Sequence, residues 1–152
     1  MGTGASIKPH YFKKGHEESG IAYALCLNGS RSFIDDLAGN HKDAYRLSRI
    51  LKTLKRIYEY GCDYAFESDT FKHIKGKDID IDVVEARVAG SVIRVAAYIH
   101  EDWIPIYLFD FDTHQGSKNN LPKRFIEKAA RLAKQAKSCA EEYDFSMYEG
   151  KR

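Results

Sequence analysis

The chain has 152 residues, 43% of them hydrophobic and 30% charged, with a formal net charge of +2. That length and composition suit one domain that buries its own core without disulfide or metal staples. No apolar run reaches the roughly 20 residues that cross a bilayer, and Met1 to Ser6 carries no export signal, so a cytoplasmic protein with no membrane partner is expected. Cys26, Cys62 and Cys139 are odd in number and widely spaced. They support neither a disulfide framework nor a zinc site, and no metal or cofactor is expected. The charge sum demands no polyanionic partner, but the cations cluster, and clustering matters more than the sum.

Residues 1 to 20 show no sustained period and read as a partly ordered lead-in. Ile21 to Leu27 reads as a short buried strand ended by Asn28-Gly29. Ser30 or Ser32 can cap a short helix through Phe33, Ile34 and Leu37, which Gly39-Asn40 closes. From His41 to Tyr60, Ala44, Leu47, Ile50, Leu51, Leu54, Ile57 and Tyr58 recur at three- and four-residue steps, predicting an amphipathic helix that stops at Gly61. Its other side holds Lys42, Arg46, Arg49, Lys52, Lys55 and Arg56, a solvated face or a stripe that steers a polyanion. Tyr64-Ala65-Phe66 reads as a strand fragment or a loop, and Phe71 to Gly76 as an extended segment running to a turn. Asp78, Asp80 and Asp82 alternate with Ile79, Ile81 and Val83, as at the start of an edge strand with an acidic, solubilising outer face.

Val83 to His100 and Ile104 to Phe111 form three apolar runs parted only by short polar turns, which predicts an antiparallel meander. Side chains two apart on a strand share a face, so Glu85 and Arg87 point the same way. With Arg94, they make either a salt-bridged surface or a prepared anion site. If Arg87 and Arg94 lay on opposite faces, a single phosphate site would fail. A polar loop, Asp112 to Asn120, follows, and Asn119 or Asn120 caps a helix with Pro122 in its first turn. The buried stripe of that helix is Phe125, Ala129, Leu132, Ala133 and Ala136, to about Lys137. Ser138 to Arg152, with Tyr143, Phe145, Met147 and Tyr148, packs as a tail or engages a partner. The order of elements indicates an α+β fold with a small antiparallel sheet, a helical hairpin near the N-terminus and a C-terminal helix in one domain.

Three local patterns, in this order, resemble the RelE/HigB-like toxins of type II toxin-antitoxin modules. Phe71-Lys72-His73-Ile74-Lys75-Gly76 leading to Val84-Glu85-Ala86-Arg87 looks like the family's "L-x-G … E-L-R" passage. Ile93 to Tyr98 is similar to its "Y-R-V-L-Y" strand. Tyr107 to Phe111 through Lys118, then Leu121-Pro122-Lys123 and Ile126 to Ala129, resembles its last strand, loop and helix. The likeness covers roughly residues 21 to 137. It implies a RelE-like fold and an endoribonuclease that cleaves mRNA at the ribosome by metal-independent attack of a ribose 2′-hydroxyl, neutralised by a cognate antitoxin protein. The resemblance makes Arg87 and Arg94 phosphate ligands, and Glu85 a base or an orienter of Arg87. It puts His114 and Lys118 in the loop that moves protons. Tyr98, Tyr107, Lys123 and Arg124 are then the candidates for stacking a base, giving a proton or holding RNA. Asp110 and Asp112 depart from the family pattern, adding negative charge near the expected phosphate site. The alternative is a non-catalytic RelE-like module that binds nucleic acid or protein.

Overall fold

The structure, a computed structural model, describes residues 4–76, 80–113 and 121–152. Six strands form one mixed sheet: β1 (Ser6–Lys14), β2 (Glu17–Cys26), β3 (Phe71–His73), β4 (Val83–Arg87), β5 (Ile93–His100) and β6 (Ile104–Asp112), in the spatial order β1-β2-β6-β5-β4-β3. The helices are α1 (Phe33–Ala38), α2 (Ala44–Tyr60), α3 (Cys62–Glu67) and α4 (Lys123–Glu141). Among the described residues no helix is long and apolar enough to cross a membrane.

The expected α+β class and the meander β4-β5-β6 are present, but the sheet is not wholly antiparallel, because β2 pairs with β6 in parallel through Tyr23↔Ile106 and Ala24↔Tyr107. The expected lead-in is instead β1 and the start of β2, an antiparallel hairpin running from Ser6↔Cys26 to Lys14↔Glu17. The chain therefore begins with a β-hairpin, and its helices follow. Tyr64-Ala65-Phe66 belongs to α3 rather than to a strand or loop. Helix α4 runs four residues beyond Lys137, to Glu141, and Pro122 stands at its N-cap rather than inside its first turn. The expected strand start at Asp80 and Asp82 lies outside β4, and β3, not β4, is the edge. Asp78, Ile79, Asn119 and Asn120 lie outside the described residues.

Both faces of the sheet are covered. Helices α1, α2 and α3 pack with Phe12, Ala22, Ala24, Val84, Ala86, Val95, Ala97 and Tyr107. On the other face, Ala129, Leu132, Ala133 and Ala136 of α4 pack on Val83, Ala96, Ile106, Leu108 and Phe109. The small residues of that stripe let the helix lie close, and each larger one contributes about 1.5–3 kcal/mol by leaving water. Ser32 caps α1, accepting from the backbone N–H groups of Ile34 and Asp35, while Asp35 accepts from the N–H of Ser32, the reciprocal capping box. Gly61 has φ of +94° and lies against the carbonyl of Arg152. A Cβ there would meet both the left-handed strain and that backbone.

One local irregularity decides which side chains meet. Ala96 pairs with Phe109 and Ala97 with Tyr107, so Leu108 is an extra residue in β6. A bulge of one residue reverses the alternation beyond it. Phe109 and Phe111 thus join the α4 face, and Asp110 and Asp112 turn to α2.

Candidate functional site

Arg87 and Arg94 are direct cross-strand partners. They share the face that carries Glu85, two residues before Arg87. Like charges directly opposite each other on a sheet are unfavourable, so a negative group is required nearby. Glu85, only 7% exposed, supplies one: its Oε1 accepts from Arg87 Nε at 3.4 Å. Lys72 of β3 is its cross-strand partner on the other side. Arg94 Nη1 donates to the carbonyls of Ser91 and Ile93, at 2.9 and 3.0 Å, which braces the β4–β5 turn. Its Nε is buried and has no hydrogen-bond partner among the described residues. Burial pulls the Arg94 pKa below its ordinary value, Glu85 opposing this and Arg87 adding to it. Two guanidiniums beside one buried carboxylate leave an excess of positive charge on this face.

The two aspartates are not on this face. Arg46 Nε donates to Asp110 Oδ2 at 2.7 Å and Arg46 Nη1 to Asp112 Oδ1 at 2.7 Å, so α2 neutralises both on the opposite face. The expected addition of negative charge to the phosphate site is thereby corrected, and the bulge at Leu108 is the reason.

Arg87 also lines a cleft of about 690 Å³ between α2, α3 and the β4–β5 turn. Its other charged walls are Arg49, Lys52 and Arg56, and among the described residues no carboxylate lines it. Arg49 Nη2 donates to the Ala89 carbonyl, tying α2 to the turn. Tyr45 and Tyr64 line the same cleft, with Ser48, Thr53, Ser68 and Thr70 supplying hydroxyls. Arg49 lies 5.7 Å from the Tyr45 ring centroid and Arg56 lies 5.6 Å from that of Tyr60, whose ring is 5.1 Å from Tyr64. On the far side of β3, Glu85 lines a second hollow of about 550 Å³ with Lys72, His73, Lys75, Leu121 and Ile126. Strand β3 lines the second hollow but not the first; Arg87 lines the first and its partner Glu85 the second.

The other expected residues are distributed as follows. Tyr98 is 6% exposed and its hydroxyl is 3.2 Å from His100 Nδ1; Tyr107 is 2% exposed, its phenol held well above the ordinary value by burial. Both are core residues here, and neither offers a face to a base. Lys123 and Arg124 are exposed on the first turn of α4, Lys123 with Glu127 at 3.8 Å and Arg124 over Phe125 at 4.9 Å. Phe125 stacks on Phe111, the cross-strand partner of Arg94, so this turn lies on the arginine face. His114 and Lys118 lie outside the described residues. Thr113, just before them, donates its N–H to the Val92 carbonyl at 2.9 Å, which ties the end of β6 to the β4–β5 turn.

Tyr45 and Tyr64 escaped the reading of the sequence. The signal for Tyr45 was present: 45, 49, 52, 56 and 60 follow one another at helical spacing, placing two tyrosines on the cationic stripe. Tyr64 was hidden because a six-residue helix is too short to show a period. No protein-family model, no curated protein and no solved structure matches the chain.

Proposed function

We propose that the protein is a toxin-type endoribonuclease of the RelE/HigB-like kind, cutting mRNA at the ribosome and held in check by a cognate antitoxin. The observation that carries this reading is the pairing of Arg87 with Arg94 on one sheet face, beside a buried Glu85. The topology is compatible with it: β2 beside β6, helices α1 and α2 between β2 and the meander, and α4 after it would be the RelE-like arrangement, with the β1 hairpin strand and β3 as additions.

In this mechanism the ribose 2′-oxygen forms a bond to the adjacent phosphorus as the bond from phosphorus to the 5′-oxygen breaks. The products are a 2′,3′-cyclic phosphate and a 5′-hydroxyl. The 2′-hydroxyl proton goes to a base, for which Glu85 is the candidate, and the leaving 5′-oxygen takes a proton from His114 or Lys118. Arg87 holds the phosphate as negative charge builds on its oxygens. Arg94 raises the local potential and fixes the turn, which makes it a positioning residue.

A second reading, a non-catalytic RNA- or protein-binding module, is favoured by the engagement of Arg94 with Ser91 and Ile93 and of Arg87 with Glu85. Incubation with translating ribosomes and mapping of 5′ ends on the mRNA separates the two. The nuclease reading expects new 5′-hydroxyl ends and growth arrest on expression. Arg87→Ala should lower the cleavage rate by about 10²–10³ while the protein stays folded. If the unaltered protein yields no new ends and expression is harmless, the nuclease reading is lost and the binding module stands.

A further inference from the structure

The cleft beside α2 has more than charge. Tyr45, Arg49, Lys52, Arg56 and Tyr60 recur at steps of four, three, four and four, so cations and rings share one line along the helix. The rings are held out rather than tucked in: Tyr45 is 74% exposed, Tyr60 47% and Tyr64 44%. A solvated cationic face needs no such rings, and leaving a phenol ring in water forfeits the energy of its burial.

We propose that this cleft is a track for single-stranded RNA, with consecutive phosphates against Arg49, Lys52, Arg56 and Arg87 and unpaired bases stacked on Tyr45 and on the Tyr60–Tyr64 pair. The choice of RNA rests on the ribonuclease reading above; the choice of single strand rests on the cleft. From Arg49 to Arg56 the helix rises about 10 Å, the span of roughly three phosphates of a stacked strand. Cationic groups flanked by aromatic faces are the chemistry that holds a strand without reading its sequence, since every base has a π-face. A duplex keeps its bases stacked on each other and offers these rings nothing. Among the described residues no carboxylate lines the track to repel a phosphate. Arg87 also lines the cleft at its sheet end, while its Nε pairs with Glu85 on the α4-facing side of the sheet.

The test is fluorescence anisotropy with a 2′-O-methylated oligoribonucleotide, which binds but cannot be cut at its 2′-oxygens, beside the same sequence as a duplex and as single-stranded DNA. The single-stranded RNA analogue should bind at least tenfold more tightly than the duplex, with a salt slope near −3 for about four phosphate contacts. Tyr45→Ala and Tyr64→Ala should each weaken binding about tenfold with the slope unchanged, whereas Lys52→Gln should lower the slope by about 0.7. All three positions are exposed, and unchanged circular dichroism will show that the variants fold. Equal duplex affinity, or tyrosine variants that bind as the parent does, would overturn the track. Tighter binding of the DNA strand overturns its assignment to RNA. Should the predicted binding occur while unmodified RNA stays intact on ribosomes, the nuclease reading fails and the track survives. Cleavage that ignores the tyrosine substitutions does the reverse.

Discussion

Two groups of aromatic rings flank α2, and they are used in opposite ways. At its C-terminal end Tyr58 meets Tyr148 at 5.3 Å, and Tyr148 in turn touches Tyr23 and Trp103 at 5.7 and 5.2 Å. Phe145 and Tyr143 close over Tyr23 from the tail, and Lys151 donates its N–H to the Tyr58 carbonyl at 3.0 Å. These rings pack edge to face or tilted on one another, with Tyr23 and Tyr148 buried at the centre. At the cleft, Tyr45 and Tyr64, with Tyr60 beside Tyr64, are partnered by arginines and by each other, and stay exposed. Rings that meet rings hold the fold; rings that meet cations at an open surface are available to a ligand. The difference follows from position on the helix, since Tyr58 sits beside the apolar stripe of α2 and Tyr45 and Tyr60 lie on its cationic one.

Tyr148→Ala breaks the sealed group at its centre and should have the largest effect. Removing a buried ring that three others pack against should lower the unfolding free energy by about 3–5 kcal/mol, a large share of the roughly 5–15 kcal/mol that a domain has. Urea denaturation measures it. A loss under about 1 kcal/mol would mean the tail is peripheral and the two ring groups differ less than their contacts suggest.

Arg46→Ala acts at the other end of α2 and should act through charge. It strips Asp110 of its counter-ion on a partly covered face and frees Asp112, so a loss of about 1–3 kcal/mol is expected, below that of a fully buried pair because both partners retain some water. The loss should shrink as salt is added, whereas that of Tyr148→Ala should not. A salt-independent deficit would show that Arg46 acts by packing its stem rather than by neutralising the two aspartates.

Much of this contrast was legible in the chain, and the illegible parts have physical causes. The α2 stripe, the meander and the capped α1 follow from periodicity and Ser32. The shared face of Arg87 and Arg94 could not be read from spacing, because it depends on register across the Ala89-Gly90-Ser91-Val92 turn. The β1 strand escaped because Lys8, His10, Lys13 and Lys14 make its sequence polar, as suits an edge. The parallel contact of β2 with β6 joins residues more than eighty apart, which local patterns cannot see. The bulge at Leu108 reversed the sides of Asp110 and Asp112, turning an apparent flaw in the phosphate site into a support for α2.

The smallest effect separates the sealed rings from the open ones by their hydroxyls. Burial pushes the Tyr23 phenol up to about 12, with Tyr143, Tyr11, Tyr58 and Asp144 adding to it, against an ordinary value near 10. Between those values the native state keeps its proton and the unfolded chain loses it, so stability falls as pH rises through the window from about 10 to 12. Tyr23→Phe removes that proton and its share of the decline. The curves of unfolding free energy against pH should run parallel for the two proteins up to about pH 9, and by pH 11 the phenylalanine variant should gain about 1 kcal/mol relative to the parent. Both will still lose stability, because Tyr58, Tyr143 and Tyr148 are also raised by burial. Curves that stay parallel to pH 11 would place the Tyr23 hydroxyl in water, and the seal formed by Tyr143, Phe145 and Tyr148 would then be looser than their ring contacts imply.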